Sequence, residues 1–318
     1  MADLQTGAPI KTVSDAIETI KSLAADTEFF GSDEWPHHKY PFGLWFRGHS
    51  NGPVELEPRV FRDKLPVPNG GERGMWDETN VYEHLKLRVP SYEHVCHSAF
   101  DWLCLMQHYL VPTRLLDWSE SILTALYFAV TNDAELDGEI IVLNAKRLNK
   151  ESKGRPTIST PDDGHVIIRA EMAAHRSATS LTRKKTVRLA LEEEGIDPQH
   201  DPHWMLRFQR PVAVFPRRLN DRMTLQSSVF TLHGGKMYVP AMQKNYWNDE
   251  LPPPKTLKEV DREVISHGNK PILRTYVIPG GKCKKEIRDD LFRLGVHEAT
   301  LFPEVDRQAV YLQQLWWF

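Results

Sequence analysis

The sequence predicts a mixed α+β fold, because segments with helical periodicity alternate with short apolar runs typical of strands. The first helix is predicted after Thr12, a capping residue that is followed by apolar residues at every third or fourth position. A buried strand is predicted from residue 43 to Arg47, where Gly48 ends a short aromatic run. The β-branched run 139–143 predicts another strand.

The remaining elements follow in chain order. Helices are predicted over residues 75–89, 92–109, 121–132, 180–194 and 282–294. Strands are predicted over residues 208–215, 229–232 and 273–278, a loop over 149–163, and an exposed proline-rich connection over 247–255. Because no linker divides the chain, we expect an N-terminal helix and loop over residues 1–40. One domain should follow over residues 41–318, with insertions at about 145–205 and 240–270.

Composition excludes several classes of protein. The chain has 318 residues, of which 41% are hydrophobic and 26% charged, a balance typical of globular proteins. Its formal charge of -3 gives no global basic excess for nucleic acid, although Lys and Arg cluster at residues 183–185 and 282–285. Solvated surface is the simpler interpretation of both clusters.

Cysteine usage and hydropathy indicate a cytoplasmic protein that does not enter a membrane. The three cysteines, Cys96, Cys104 and Cys283, form no CxxC pair, which argues against a disulfide framework and a structural zinc site. We therefore predict no metal. No apolar run reaches the roughly 18 residues of a transmembrane helix, and residues 1–11 lack the apolar core of a signal peptide.

Arg47 is the first candidate for a binding residue. It stands at the predicted end of an aromatic strand, and Gly48 would let a ligand or another backbone approach closely. A guanidinium offers a planar fork to a phosphate or a carboxylate. The alternative is a structural arginine tied to a buried aspartate or to carbonyl groups.

Residues 107–119 are the second candidate, because they place several polar groups between two apolar helices. Such groups either bond to one another or serve a ligand. His108 could act as a general base or bind a substrate, while Arg114 and Asp117 could form an internal salt bridge. Ser119 could cap the following helix, which would be a structural role. Taken together with Thr113, the cluster favours a site.

These segments carry a resemblance to a known family. Residues 45–50 and 56–62 resemble the opening motif of FRG-domain proteins, whose name comes from this Phe-Arg-Gly signature. The family's longest motif is similar to residues 107–109, 112–118 and 125–129. Weaker similarity covers Arg222, Gln226, 229–231, 295–296 and 300–305, so that the resemblance extends from about Leu44 to Leu312.

The order of elements more distantly resembles an ADP-ribosyltransferase core, which implies an antiparallel or mixed split sheet flanked by helices. In those enzymes an early-strand arginine binds the dinucleotide phosphates and a late glutamate holds a ribose hydroxyl. The resemblance implies NAD as the substrate, Arg47 as the phosphate-binding residue and Gln226 in the place of the glutamate. A neutral amide cannot stabilise an oxocarbenium cation by charge, so Asp117 and Glu120 are alternative carboxylates.

Three functions follow as hypotheses. The first is an NAD-using ADP-ribosyltransferase or NAD glycohydrolase-like enzyme, acting as a toxin or phage-defence effector on an unidentified macromolecule. The second is a sensor that binds a nucleotide without turning it over. The third is a nuclease or nucleic-acid-binding protein that uses His108, Asp117 and the basic clusters. The apolar tail 316–318 would need a cover, which a second subunit of a homo-oligomer could provide.

Overall fold

The central feature of the fold is one six-stranded antiparallel sheet. In a computed structural model, residues 6–26, 28–29, 43–62, 77–176, 178–201, 204–235 and 255–316 are described. The strands run β4-β5-β2-β1-β3-β6 across the sheet, and every neighbouring pair is antiparallel. They are β1 (Leu44–His49), β2 (Leu115–Ser119), β3 (Gly138–Asn144), β4 (Val212–Val214), β5 (Ser228–Leu232) and β6 (Leu273–Ile278). The predicted α+β class is confirmed.

Helices flank this sheet. The N-terminal half carries α1 (Val13–Ala25), α2 (Glu78–Arg88), α3 (Ala99–His108), α4 (Ile122–Val130), α5 (Ala145–Lys153), α6 (Gly164–Ala174) and α7 (Ala178–Arg183). The C-terminal half carries α8 (Lys185–Glu193), α9 (Asp221–Leu225), α10 (Leu257–Ser266), α11 (Lys282–Arg293), α12 (Glu298–Leu301) and α13 (Val305–Leu315). Short 3-10 turns lie at Arg59–Phe61, Pro90–Tyr92 and Trp204–Phe208. Within the described ranges, no helix is long and apolar enough to cross a membrane.

The sheet narrows at its middle. Strand β1 pairs with β3 over six register positions and β2 pairs with β5 over five, but β1 and β2 share the single pair Phe46 and Ser119. The sheet is thus two three-stranded halves joined by a short contact. Such a junction leaves backbone groups unpaired and opens a space into which side chains can point.

Several predicted ends of strands and helices were wrong, because strand pairing and helix capping determine where these elements end. Strand β1 does not end at Arg47 but continues to His49, since β3 still offers it partners there. The predicted loop 149–163 begins as helix α5, which Asn144 caps through the backbone N–H of Arg147 and which Gly154 ends in a left-handed conformation.

Two helix predictions also changed. The helix predicted over residues 92–109 begins only at Ala99, where Ser98 and Asp101 form a capping box. The helix predicted over 180–194 is divided into α7 and α8. The strand predicted over 208–215 is reduced to β4, and most of the predicted connection 247–255 lies outside the described residues.

The described N-terminal residues pack against the same sheet. The backbone N–H groups of Gly7 and Ile10 donate to Thr275 O and Val277 O on β6, each at 2.9 Å. Helix α1 and Ile10 then contribute buried apolar side chains to a core shared with α4, β3 and α11. At the other end of the chain, Trp316 is 70% exposed, while residues 317–318 of the predicted apolar tail lie outside the described part.

Helix α4 lies directly on β1, and Gly48 is the point of closest approach. A Cβ atom at position 48 would overlap the carbonyl oxygen of Ala125 and come within 3.0 Å of the backbone nitrogen of Ala129. Glycine at this position is therefore required by backbone packing. The sequence predicted that Gly48 allows close approach of either a ligand or another backbone. The structure shows the close approach of the α4 backbone.

We expect Gly48→Ala to destabilise the fold by about 1–3 kcal/mol or more, because α4 would have to move away from β1. Urea unfolding measures this change without any ligand. A matched control is Gly154→Ala, whose Cβ would meet nothing within 4 Å, so that only its positive φ of 73° adds a penalty. That penalty should be about 1 kcal/mol. Equal stability of Gly48→Ala and the unmodified chain would contradict the packing role.

Candidate functional site

A cavity of about 280 Å³ lies at the narrow junction between β1 and β2. Its walls come from both halves of the sheet and from α3, α4 and α9. Six of the predicted site residues line it, although they are far apart in the sequence: Arg47, Gly48, His108, Asp117, Ser119 and Gln226. The structure thus places Arg47 and the segment 107–119 around one cavity.

Arg47 is held by two hydrogen bonds. Its Nε donates to His49 Nε2 at 2.8 Å, and its Nη1 donates to the carbonyl oxygen of Asp117 at 2.5 Å across the junction. Burial, reinforced by the charge of Arg47, lowers the pKa of His49 to about 3, so that this ring is neutral and can accept the bond. The Arg47 side chain is 16% exposed, and Nη2 makes no hydrogen bond to the described residues.

Asp117 stands at the rim of the cavity, with its side chain 53% exposed. Its Oδ2 accepts a hydrogen bond from Gln107 Nε2 at 2.6 Å, and Gln107 Oε1 in turn accepts one from Thr113 Oγ1 at 2.5 Å. The carboxylate is also 3.8 Å from Arg47 Nη1. Thr113 is fully buried behind this chain of bonds and orients it without lining the cavity.

Arg114 lies away from the cavity and pairs with a residue that the sequence did not indicate. Its Nε and Nη2 donate to Glu78 Oε2 at 3.0 and 2.5 Å, and both side chains are buried. Arg114 and Asp117 therefore do not form the internal salt bridge that the sequence left open as one alternative. Residues three apart along an extended chain face opposite sides of a sheet, so Asp117 meets Arg47 instead.

Ser119 and Gln226 are bonded to backbone. Ser119 Oγ donates to Gln226 O at 2.7 Å and accepts from the N–H of Ser121, while Ser121 itself caps α4. Gln226 Nε2 donates to Leu301 O at 3.0 Å. Both residues line the cavity, and their bonds fix the end of β2, the start of β5 and the C-terminal segment relative to one another.

His108 faces two charged groups. Its Nε2 is 3.7 Å from Glu304 Oε1, and the same oxygen is 3.6 Å from Arg222 Nη1. Burial and then the charge of Arg222 lower the pKa of His108, and Glu304 opposes them. Arg222 also lines the cavity and stacks over the ring of Phe302 at 4.5 Å.

Sequence reasoning missed Glu304 as a member of this group. The only signal was its place in the segment 300–305, which carried the final part of the family resemblance. The alternative carboxylate Glu120 is less well placed. It pairs with Arg218 at 3.4 Å, does not line the cavity, and has a pKa that burial raises against the opposing charge of Arg218.

Comparison with known proteins identifies one domain. Residues 43–138 match the family model of the FRG domain. The match contains Arg47 and the segment 107–119, whereas Gln226 and Glu304 lie outside it. No curated protein matches the chain. No solved structure matches it either.

The buried ion pair of Arg114 with Glu78 and the exposed ion pair of Asp117 with Arg47 should differ sharply in their contribution to the free energy of unfolding. Glu78→Ala leaves the Arg114 guanidinium buried without its partner, and we expect this to cost about 3–5 kcal/mol. Asp117→Asn changes an exposed side chain and should cost less than about 1 kcal/mol. Urea unfolding of both variants measures the difference. An exposed-pair control is Glu18→Ala, which removes the partner of Lys21. A Glu78→Ala variant as stable as this control would contradict the assignment.

Proposed function

We propose that the chain binds NAD in the cavity between β1 and β2 and transfers or hydrolyses its ADP-ribose group, as ADP-ribosyltransferase-like enzymes do. One observation carries this proposal. Arg47 on β1, Ser119 at the end of β2 and Gln226 before β5 surround a single cavity at the sheet junction. That arrangement is what the resemblance in element order leads us to expect.

The cationic groups of the cavity suit a diphosphate. Arg47 is anchored through Nε and Nη1, which leaves Nη2 to donate a charge-assisted bond to a phosphate oxygen. Arg222 on α9 provides a second guanidinium that lines the cavity. A pre-oriented arginine loses little side-chain entropy when a ligand binds, so the His49 contact would contribute to affinity.

The proposed chemistry is cleavage of the bond between ribose C1′ and nicotinamide. Positive charge develops on the ribose in such a reaction, and a nearby carboxylate stabilises it. Asp117 is the carboxylate that lines the cavity, whereas Gln226 is neutral. His108 is kept largely in its neutral form near neutral pH by its lowered pKa, and it can accept the proton of an attacking hydroxyl or water.

A second candidate function is a sensor that binds the nucleotide and leaves it intact. The observation in its favour is that the amide of Gln226 is already bonded to Leu301 O, and this residue brings no charge to the ribose. Release of nicotinamide from bound NAD distinguishes the two functions. A role as toxin or phage-defence effector and assembly into a homo-oligomer stay predictions.

Arg47 should dominate the affinity for NAD. We expect Arg47→Ala to raise the dissociation constant about tenfold or more, because a charge-assisted bond contributes roughly 1.5–3 kcal/mol. Arg47→Lys keeps the positive charge but loses the planar guanidinium. Its dissociation constant for NAD should lie between those of the unmodified chain and Arg47→Ala. Calorimetry with NAD measures all three proteins. The control is Arg155→Ala, which removes an exposed arginine paired with Glu194. Absence of NAD binding by the unmodified chain would refute the proposal.

Replacement of Gln226 by glutamate tests whether a carboxylate at this position, where ADP-ribosyltransferases have a glutamate, supports cleavage. In Gln226→Glu the carboxylate can no longer donate to Leu301 O, so the variant should lose about 1–3 kcal/mol of stability. Its NAD affinity should stay similar and its nicotinamide release should hold or rise. A matched control is Gln308→Glu, since Gln308 Nε2 also donates to backbone carbonyls, those of Ala299 and Phe302. If nicotinamide release falls in Gln226→Glu but not in Gln308→Glu, that result would count against a role of residue 226 in contacting the ribose.

A further inference from the structure

The carboxylate of Glu304 is in an unusual electrostatic position. Both of its oxygens are buried, and neither has a hydrogen-bond partner among the described residues. Oε1 lies between two donors that it does not quite reach, His108 Nε2 at 3.7 Å and Arg222 Nη1 at 3.6 Å. A buried carboxylate without hydrogen bonds is costly, and groups of this kind are concentrated at functional sites.

The fold brings Glu304 to this position through the segment that follows α12. Leu301 O accepts the bond from Gln226, and the ring of Phe302 lies beneath the guanidinium of Arg222. Both contacts join the C-terminal segment to the cavity wall. Glu304 then stands immediately before α13, behind the side chain of His108.

We propose that Glu304 is a positioning residue that orients the His108 ring for proton transfer in the cavity. With Nε2–H directed at Glu304, the lone pair of Nδ1 is the one available to a ligand, and Nδ1 has no hydrogen bond within the described part of the chain. A base whose ring is oriented by a carboxylate is a recurring arrangement in enzymes. The separation would shorten to a hydrogen bond when ligand fills the site.

This role rests on the proposed function for its substrate. An acceptor hydroxyl or water loses its proton to His108 Nδ1, and its oxygen forms a bond to ribose C1′. The bond from C1′ to the nicotinamide nitrogen breaks, and its electron pair leaves with nicotinamide. No atom is oxidised or reduced. The negative charge of Glu304 stabilises the imidazolium that forms.

The groups around His108 allow the effect of Glu304 on the pKa of that ring to be distinguished from the effects of the other groups. Arg222 on α9 faces the ring with a positive charge, the ring of Tyr109 packs at 4.7 Å, and Glu304 is the nearby negative charge. Burial and Arg222 both lower the pKa of His108, so Glu304 alone opposes them. Removal of its charge should therefore move the titration of His108 in one defined direction.

The first experiment is a titration of His108 followed by NMR, with the signal assigned by its loss in His108→Asn. In Glu304→Gln the midpoint should fall by about one pH unit relative to the unmodified chain. The control is Glu298→Gln, which removes a comparably buried carboxylate paired with Arg307 at 3.5 Å. This control should leave the midpoint unchanged. A midpoint that is unchanged or higher in Glu304→Gln would overturn the proposal.

Should Glu304→Gln fail to fold, Arg222→Gln provides the opposite test. Because Arg222 lowers the pKa of His108 directly, this variant is compared with the double variant Arg222→Gln/Glu304→Gln, whose midpoint should lie about one pH unit lower. Equal midpoints in these two variants would overturn the proposal. Neither titration requires NAD, so both remain decisive if the unmodified chain binds no NAD and the proposed function fails.

The second experiment measures nicotinamide release at saturating and limiting NAD. Glu304→Gln should lower kcat about tenfold or more and leave KM within about twofold, because the base is misoriented while the phosphate contacts persist. On the acid side of the pH–kcat profile, the pH at which kcat is half its maximum should shift in the same direction as the NMR midpoint of His108. Glu304→Asp should restore part of kcat. A rise in KM alone would overturn the positioning role and assign Glu304 to binding.

Discussion

The hydrogen bond from Arg47 to the carbonyl oxygen of Asp117 joins the two halves of the sheet. Backbone pairing between β1 and β2 is confined to one register position, so this side chain completes a contact that the ladder does not make. The same guanidinium faces the cavity that the incomplete pairing leaves open. One residue therefore both links the two halves of the sheet and lines the cavity, and its two hydrogen bonds fix its orientation there.

The alternation of side chains along β2 sorts the polar groups into two sets. Asp117 points to the cavity and contacts Arg47, whereas Arg114 just before the strand is enclosed with Glu78. The first pair is accessible and its charges remain available, while the second satisfies itself within the core. A segment dense in polar residues thus serves both the fold and the site, and sequence spacing alone does not divide the two roles.

Local patterns predicted those parts of the fold that depend on local interactions. Helix α1 was recognisable because Thr12 caps it and its apolar residues share one face, and α11 ends within one residue of its predicted bound. Helix α5 was not recognised because it is mostly polar and depends on its caps. For the site, the sequence indicated Arg47 and His108, but Glu304 is brought close to His108 only by tertiary packing, which no spacing rule encodes. The same holds for Glu78, which pairs with Arg114 away from the cavity.

The backbone bonds that Gly7 and Ile10 make to β6 have a consequence for association between molecules. An outer strand with free N–H and C=O groups is a template for pairing with another chain, and β6 is the outer strand on this side of the sheet. The N-terminal segment occupies that template, and on the opposite margin Ser159 bridges Val214 on β4 in the same way. Both margins of the sheet are thereby partly covered, and a chain cut before Val13 would leave the outer edge of β6 open to pairing with another strand.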